Sequence, residues 1–212
     1  MKRRSPHAFT LIEMVTVVAV IIVLAGIVMG VAGFVQTKGA REKGLTQLKN
    51  MQYQCGAFRE DNGGYPENQD TTNLDPREHF SPISGASGTL YIASSRWLYS
   101  CLSGDFEPAL KPDGRPEEKS YYPFKRDELN FKKDASGGIA EVRYLQDPFG
   151  NSYAYSTAGA QAEAEYRKKL KLDPTTERPT KAKGYNPTYD LWSTGNGTTS
   201  SHTGKWIKNW GS

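Results

Sequence analysis

The chain has 212 residues, of which 37% are hydrophobic and 24% charged, and its formal net charge is +4. This length suits one ordinary domain with an appendage, and a mean hydropathy of −0.64 excludes a protein that crosses a membrane many times. The 2 cysteines and unperiodic glycines exclude disulfide-rich and collagen-like chains, and without a long basic stripe we expect no nucleic-acid partner.

The amino-terminal segment combines a basic start with a long apolar run. Lys2, Arg3 and Arg4 precede the run, and no charged residue occurs from position 14 to position 35. The run has roughly the twenty residues that a membrane-spanning helix needs, and it is too long for a cleavable secretory signal. We therefore expect a single-pass anchor with its amino end in the cytoplasm, because positive residues favour that side.

One carboxylate, that of Glu13, lies at the start of the apolar run. A charged group there costs a few kcal/mol in a bilayer unless it has a partner. Two interpretations stay open from the residues alone. Glu13 lies among the lipid headgroups, or it pairs with the positive amino terminus of another copy of the chain.

The amino-terminal segment resembles the class III signal of type IV pilins and type II secretion pseudopilins. The resemblance rests on the basic leader, the small residue Ala8, the sequence Phe9-Thr-Leu-Ile-Glu13 and the apolar run that follows. The resemblance implies that a prepilin peptidase cuts between Ala8 and Phe9 and that Phe9 becomes N-methylated. Glu13 then takes the position of the family's subunit-docking glutamate. The family usually has glycine before the cut, but alanine is the next smallest residue, so we expect processing to survive.

Beyond the apolar run the sequence predicts a polar helix with one apolar stripe. Apolar residues recur at steps of three and four, namely Leu45, Leu48, Met51 (or Gln52 in its place), Cys55 and Phe58. Asn62-Gly63-Gly64, with Pro66 just after it, predicts the end of the helix. We therefore divide the chain into a leader (1–8), an apolar helix (9–37) and an amphipathic continuation (38–62).

Residues 63–138 are rich in proline, glycine, serine and charge, and we expect a variable, loop-rich region there. The apolar cluster at 91–102 predicts one short helix or strand pair that ends at Ser103-Gly104-Asp105. Tyr121, Tyr122 and Phe124 either form a contact surface for a cargo protein or hold a loop against the core, and the second interpretation is favoured.

Residues 139–212 predict a small antiparallel sheet. Residues 139–146 alternate apolar and polar as a half-buried strand does, and a turn follows at 147–151. Further strands are expected at 152–156 and 189–192, and residues 205–210 are expected to close the sheet. A short charged helix near 160–172 is expected as a solvated insertion.

Several of these segments resemble the major pseudopilin of type II secretion. They are Phe58-Arg-Glu-Asp-Asn-Gly-Gly-Tyr-Pro66, Asp147-Pro-Phe-Gly-Asn-Ser-Tyr153, Tyr189-Asp-Leu-Trp-Ser-Thr-Gly195 and Ile207-Lys-Asn-Trp210. The resemblance implies an α+β, pilin-like fold, in which a long amino-terminal helix, transmembrane in its first half, packs on a small antiparallel sheet.

The resemblance also implies a function. The chain is expected to be a structural subunit of a type II secretion pseudopilus in the bacterial inner membrane, with its carboxyl-terminal head in the periplasm. Its implied partners are other copies of itself, minor pseudopilins, the prepilin peptidase, the inner-membrane platform and the assembly ATPase. A minor pseudopilin or a type IV pilus subunit is the alternative within this class. A membrane-anchored carbohydrate-binding module, with the 12 tyrosines and 4 tryptophans as stacking platforms, is the alternative from another class.

The family's final loop binds calcium through aspartates, and here the resemblance fails. Residues 197–204 contain no carboxylate, and Asn196 and Lys205 stand near the family's acidic positions. Calcium takes six to eight oxygen ligands, and carboxylates supply most of the attraction. We expect no tight calcium site and no other cofactor, with Asn196 as a weak metal candidate.

The two cysteines, Cys55 and Cys101, fall in parts expected to be extracytoplasmic, where disulfides persist. One intrachain bridge is possible, and two buried thiols are the alternative. The histidines are scattered, and no catalytic spacing of serine, histidine and aspartate occurs. We therefore expect the protein not to be an enzyme.

Overall fold

The computed structural model describes residues 10–81, 85–106, 119–197 and 200–211. The chain divides into two compact units, Met1–Ala40 and Arg41–Ser212. The first helix, α1 (Leu11–Asn62), begins in the first unit and ends in the second.

In the first unit, α1 contains a window of 18 residues with a mean hydropathy of 2.9, and none of that window is buried. Between its two ends, a helix satisfies its backbone hydrogen bonds internally, as hydrocarbon requires. Among the described residues, one helix, near the amino terminus, is therefore long and apolar enough to cross a membrane. This confirms the long apolar helix expected from the sequence.

In the second unit, the final turns of α1 bury the predicted apolar stripe. Leu48, Met51 and Cys55 are exposed by 2% or less, and Leu45 and Phe58 pack against the same cluster. The helix ends at Asn62, and Gly63 follows with φ +73° and donates its N–H to the Arg59 carbonyl at 2.8 Å. A left-handed residue at this position is a common helix end, so the predicted stop is confirmed.

The prediction that residues 63–138 are a loop-rich region is wrong in part. This region contains α2 (Gln69–Asn73), the 19-residue helix α3 (Gly85–Ser103) and β1 (Leu129–Lys133). The sequence of α3 shows no clear apolar period, because two polar residues, Ser94 and Ser95, are fully buried on the face that packs against the rest of the unit. Ser95 accepts a hydrogen bond from the Leu145 backbone N–H at 2.9 Å. This contact satisfies the hydroxyl inside the second unit (41–212), which we call the head.

The remaining strands and helix lie close to their predicted positions. They are β2 (Ile139–Leu145), β3 (Ala154–Ser156), α4 (Ala158–Leu172), β4 (Asp190–Ser193) and β5 (Ile207–Lys208). The described strands form two antiparallel sheets, not one. The first is the β1–β2 pair, in which Leu129 lies opposite Leu145, and the second has the order β3-β4-β5, in which Trp192 lies between Ala154 and Lys208.

The described residues of the second unit form two buried apolar clusters. The larger one joins the stripe of α1 to α3 and to both sheets; its buried members include Leu98, Leu102, Leu145, Tyr155, Leu191 and Ile207. The smaller one contains Leu74, Tyr91, Ala154, Trp192 and Trp206. The fold is therefore α+β, as expected.

Tyr121, Tyr122 and Phe124 pack against the larger cluster. The backbone N–H groups of Tyr121 and Tyr122 both donate to the Leu102 carbonyl, at 2.8 and 2.9 Å. The interpretation that these aromatic residues hold a loop against the core is confirmed.

Candidate functional site

The first turn of α1 carries a reciprocal pair between Thr10 and Glu13. The Thr10 backbone N–H and hydroxyl donate to Oε2 of Glu13, at 2.7 and 2.9 Å. The Glu13 backbone N–H lies 3.3 Å from the Thr10 hydroxyl oxygen, which accepts from it. This arrangement is a capping box, which satisfies N–H groups that a helix start otherwise leaves unpaired.

The sequence reasoning missed this role of Glu13. Threonine followed three residues later by glutamate, directly before an apolar run, is the pattern of a capping box. The residues alone left Glu13 either among the lipid headgroups or paired with another copy of the chain, and neither interpretation gave it a partner within its own chain. The structure adds an intrachain partner, and it leaves part of the carboxylate available. Both donors from Thr10 reach Oε2, and no hydrogen bond to Oε1 occurs among the described residues.

The apolar surface that follows Glu13 is exposed all along the segment. Its large hydrophobic side chains with described surroundings are exposed by between 49% and 79%, with Met14 at the lower and Met29 at the upper limit. Glu13 is the sole charged residue from position 10 to position 35. An exposed apolar surface of this extent marks a site of contact with a membrane or with other proteins.

Ala8 and Phe9 lie outside the described residues. Cleavage between them and methylation of Phe9 therefore stay predictions from the sequence motif. The described chain begins at Thr10, the residue that caps α1.

Asn196, the weak metal candidate, is exposed in the turn after β4. Among the described residues, no group of three or more histidine, cysteine, aspartate or glutamate side chains is placed to hold a metal ion. Residues 198–199 of the same loop lie outside the described part of the chain. The expected lack of a tight calcium site stays a prediction.

Cys55 on α1 and Cys101 on α3 are both buried and present as thiols. Burial raises the pKa of the Cys55 thiol, and the neighbouring Cys101 raises it further. The thiolate is the reactive form of cysteine, so Cys55 is expected to react slowly while it is buried as a thiol. The bridge between the two residues stays a prediction.

Two buried aspartates hold the turn at residues 184–186, which the sequence reasoning also missed. Asp190 accepts the backbone N–H groups of Tyr185 and Asn186 at 2.8 and 2.9 Å, and Asp75 accepts that of Gly184 at 3.2 Å. Burial raises the pKa of the Asp190 carboxyl to about 6, while the two donated N–H groups lower it. The pair fixes the backbone that carries Tyr185 and Asn186.

The comparison with protein-family models gives no match to this chain, and comparisons with curated proteins and with solved structures give none either. The structure thus supplies an α+β head and an exposed apolar helix, and the pilin-like family stays a prediction from the sequence motifs.

Proposed function

We propose that the chain is a structural subunit of a type II secretion pseudopilus, which polymerises through its amino-terminal helix. The observation that carries the proposal is the exposed apolar surface of α1 with Glu13 at its start. A membrane covers this surface while the subunit is stored, and neighbouring copies cover it in the filament. Burial of apolar area drives both states.

Cleavage before Phe9 creates a positive α-amino group close to the start of α1. A buried carboxylate is tolerated when a positive group pairs with it, and the amino group of a neighbouring copy supplies that charge. The capping box is compatible with this pairing, because Thr10 occupies Oε2 and Oε1 is left for the neighbour. In this proposal Glu13 therefore both caps its own helix and docks the next subunit.

The same proposal assigns the partners and the location. The prepilin peptidase trims residues 1–8, and the inner-membrane platform and assembly ATPase add subunits beneath minor pseudopilins. The head lies in the periplasm, and growth of the filament moves exported proteins across the outer membrane.

Mass spectrometry of the mature amino terminus tests the processing step. We expect the chain purified from a host with a prepilin peptidase to begin at N-methylated Phe9. A chain that begins at Met1, or at a residue after position 35, contradicts the proposal.

Two substitutions separate docking from capping. Glutamine serves in a capping box but carries no charge, so Glu13→Gln keeps the cap and removes the charge pair, whereas Glu13→Ala removes both. We expect both variants to lose crosslinked oligomers in membranes, while the control Glu42→Gln, on an exposed part of the same helix, keeps them. If Glu13→Gln assembles as the unchanged chain does, Glu13 acts through capping alone and the docking role is wrong.

A further inference from the structure

The second half of α4 presents a basic surface to solvent. From position 166 to position 172 it contains four basic residues and no acidic one. Lys171 and Leu172 follow Lys168 by three and four residues, so the three side chains lie on one face of the helix, which we call the basic face. All three are exposed, Leu172 by 82%, and neither lysine takes part in an ion pair among the described residues.

A cleft of about 290 Å³ in the same unit has complementary properties. It opens between α2 and α3, and its lining includes Asn68, Asp70, Thr89, Ile92 and Ala93. Ile92 is 41% exposed, so the cleft offers an accessible apolar surface. Asp70, in the first turn of α2, adds a carboxylate beside it.

The charged groups at this cleft favour a cation. The Asp70 carboxylate accepts a hydrogen bond of 3.2 Å from the Asn68 amide and takes part in no ion pair among the described residues. Glu67, next to Asn68 in the chain, is exposed and is likewise absent from those ion pairs. Arg96 also lines the cleft, but its guanidinium is paired with Glu141 at 3.2 Å. Two carboxylates are therefore left for a positively charged partner.

The basic face and the cleft lie apart on one chain. Thr157, directly before α4, is fixed to Thr71 of α2, because its backbone N–H donates to the Thr71 carbonyl at 2.9 Å and the two hydroxyls also lie 2.9 Å apart. Thr71 follows Asp70, so the start of α4 lies beside the acidic side of the cleft. A helix rises 1.5 Å per residue, which places Leu172 about 22 Å from Thr157 along the axis. Each surface is thus left for another molecule.

We infer that the basic face of one copy docks into the cleft of a second copy. Leu172 enters the cleft against Ile92, and the two lysines of the basic face pair with Asp70 and Glu67. Because the two surfaces differ, the contact is heterologous, and contacts of this kind continue into an open assembly unless their rotation closes a ring. The inference rests on the proposed polymerisation, and it adds a contact between heads to the contacts of the apolar helix.

Carbodiimide crosslinking of the full chain in detergent micelles tests the contact, because this reagent joins an amine to a carboxylate only where the two groups touch. Isotope-labelled and unlabelled copies are mixed, so that mass spectrometry separates links between copies from links within one copy. We expect mixed-isotope peptides that join Lys168 or Lys171 to Glu67 or Asp70. The yield of these peptides should fall at high salt, since salt screens exposed charges.

Charge reversal tests whether this pairing drives association. We expect Lys168→Glu with Lys171→Glu to weaken self-association in micelles about tenfold, as measured by sedimentation, because attraction becomes repulsion. Glu67→Lys with Asp70→Lys should have the same effect, and the chain with all four substitutions should associate again. Lys132→Glu, at an exposed lysine of β1, is the control and should leave association unchanged.

If the chain with four substitutions does not fold, a mixture of the two double variants makes the same exchange of charge between copies. No association in micelles, association that no reversal changes, a failure of the exchanged charges to restore it, or links between copies that omit the basic face each overturn the inference. Unchanged association together with lost binding to phosphatidylglycerol vesicles assigns the basic face to a membrane and also overturns it. The Glu13 substitutions in membranes test the proposed filament separately.

Discussion

The Tyr153 hydroxyl donates a hydrogen bond of 2.9 Å to the side-chain oxygen of Gln47, inside the contact between α1 and the rest of the head. The same hydroxyl lies 3.1 Å from the Gly44 carbonyl oxygen, and the Gln47 side-chain nitrogen donates to Glu128 at 3.4 Å. Gln47, Glu128 and Tyr153 are all buried. A buried hydrogen-bond network of this kind fixes the position of α1 more specifically than apolar contacts alone, because each buried polar group needs its hydrogen-bond partner.

Removal of the Tyr153 hydroxyl should therefore destabilise the head. We expect Tyr153→Phe to lower the free energy of unfolding by about 1–3 kcal/mol, because the Gln47 oxygen then stays buried without its donor. Urea unfolding followed by tryptophan fluorescence measures the change. Tyr53→Phe is the control, since Tyr53 is 76% exposed on the same helix. An equal effect of the two substitutions would contradict the role assigned to this hydrogen bond.

Substitution of two glycines of α1 by alanine should change the free energy of unfolding in opposite directions. A Cβ at Gly44 would lie 2.6 Å from Cδ1 of the fully buried Ile207, whereas a Cβ at Gly56 has no neighbour within 4 Å. Alanine in a helix is favoured over glycine by about 1 kcal/mol, and overpacking a core costs about 1–3 kcal/mol. We expect Gly56→Ala to raise the free energy of unfolding and Gly44→Ala to lower it. A gain for both would show that α1 and β5 pack less closely than the structure shows.

The stability of the head should fall as the pH rises through 6. The folded state holds the pKa of Asp190 at about 6, above its ordinary value of 3.8, so it binds the proton more tightly than the unfolded chain does. Its contribution is complete below about pH 4 and is lost as the pH rises through the folded pKa, a change on the order of 3 kcal/mol.

Asp190→Asn isolates this contribution. Burial also raises the pKa of Asp147, which stays in the variant, so the difference between the two chains reports Asp190 alone. We expect the free energy of unfolding of the variant to change less between pH 4 and pH 7 than that of the unchanged chain. If the free energy of unfolding changes equally with pH in the variant and in the unchanged chain, the raised pKa assigned to the buried Asp190 is wrong.

The two cysteines should be protected from alkylation while the head is folded. Both are buried, and iodoacetamide reacts with the thiolate, which burial disfavours at Cys55. We expect slow labelling of the folded chain and full labelling after denaturation, as measured by mass spectrometry. A denatured, unreduced chain that takes no label contains the bridge predicted from the sequence. Fast labelling of the folded chain would contradict the burial of Cys55 and Cys101.

Local patterns were sufficient for a large part of the fold. The apolar run from position 14 to position 35 predicts a helix by its length alone, and Asn62-Gly63-Gly64 predicts the end of α1 because a left-handed residue stops a helix. Alternation predicts β2, and the stripe through Leu48 and Cys55 predicts which face of α1 is buried. Each of these signals lies within a few residues of the element that it predicts.

The elements that the sequence left open depend on partners far along the chain. Ser94 and Ser95 are polar in sequence and buried in the structure, since β2 lies against α3 and satisfies Ser95. Gln47 is buried for the same reason, because its partners Glu128 and Tyr153 are distant in sequence.

The sequence by itself thus determined the apolar helix with Glu13 at its start, where local period and composition are enough. Only the tertiary structure decided the extent of α3 and the division of the strands into two sheets. The physical reason is that a buried polar group is stable only where a distant residue supplies its hydrogen bond, and no local pattern contains that information.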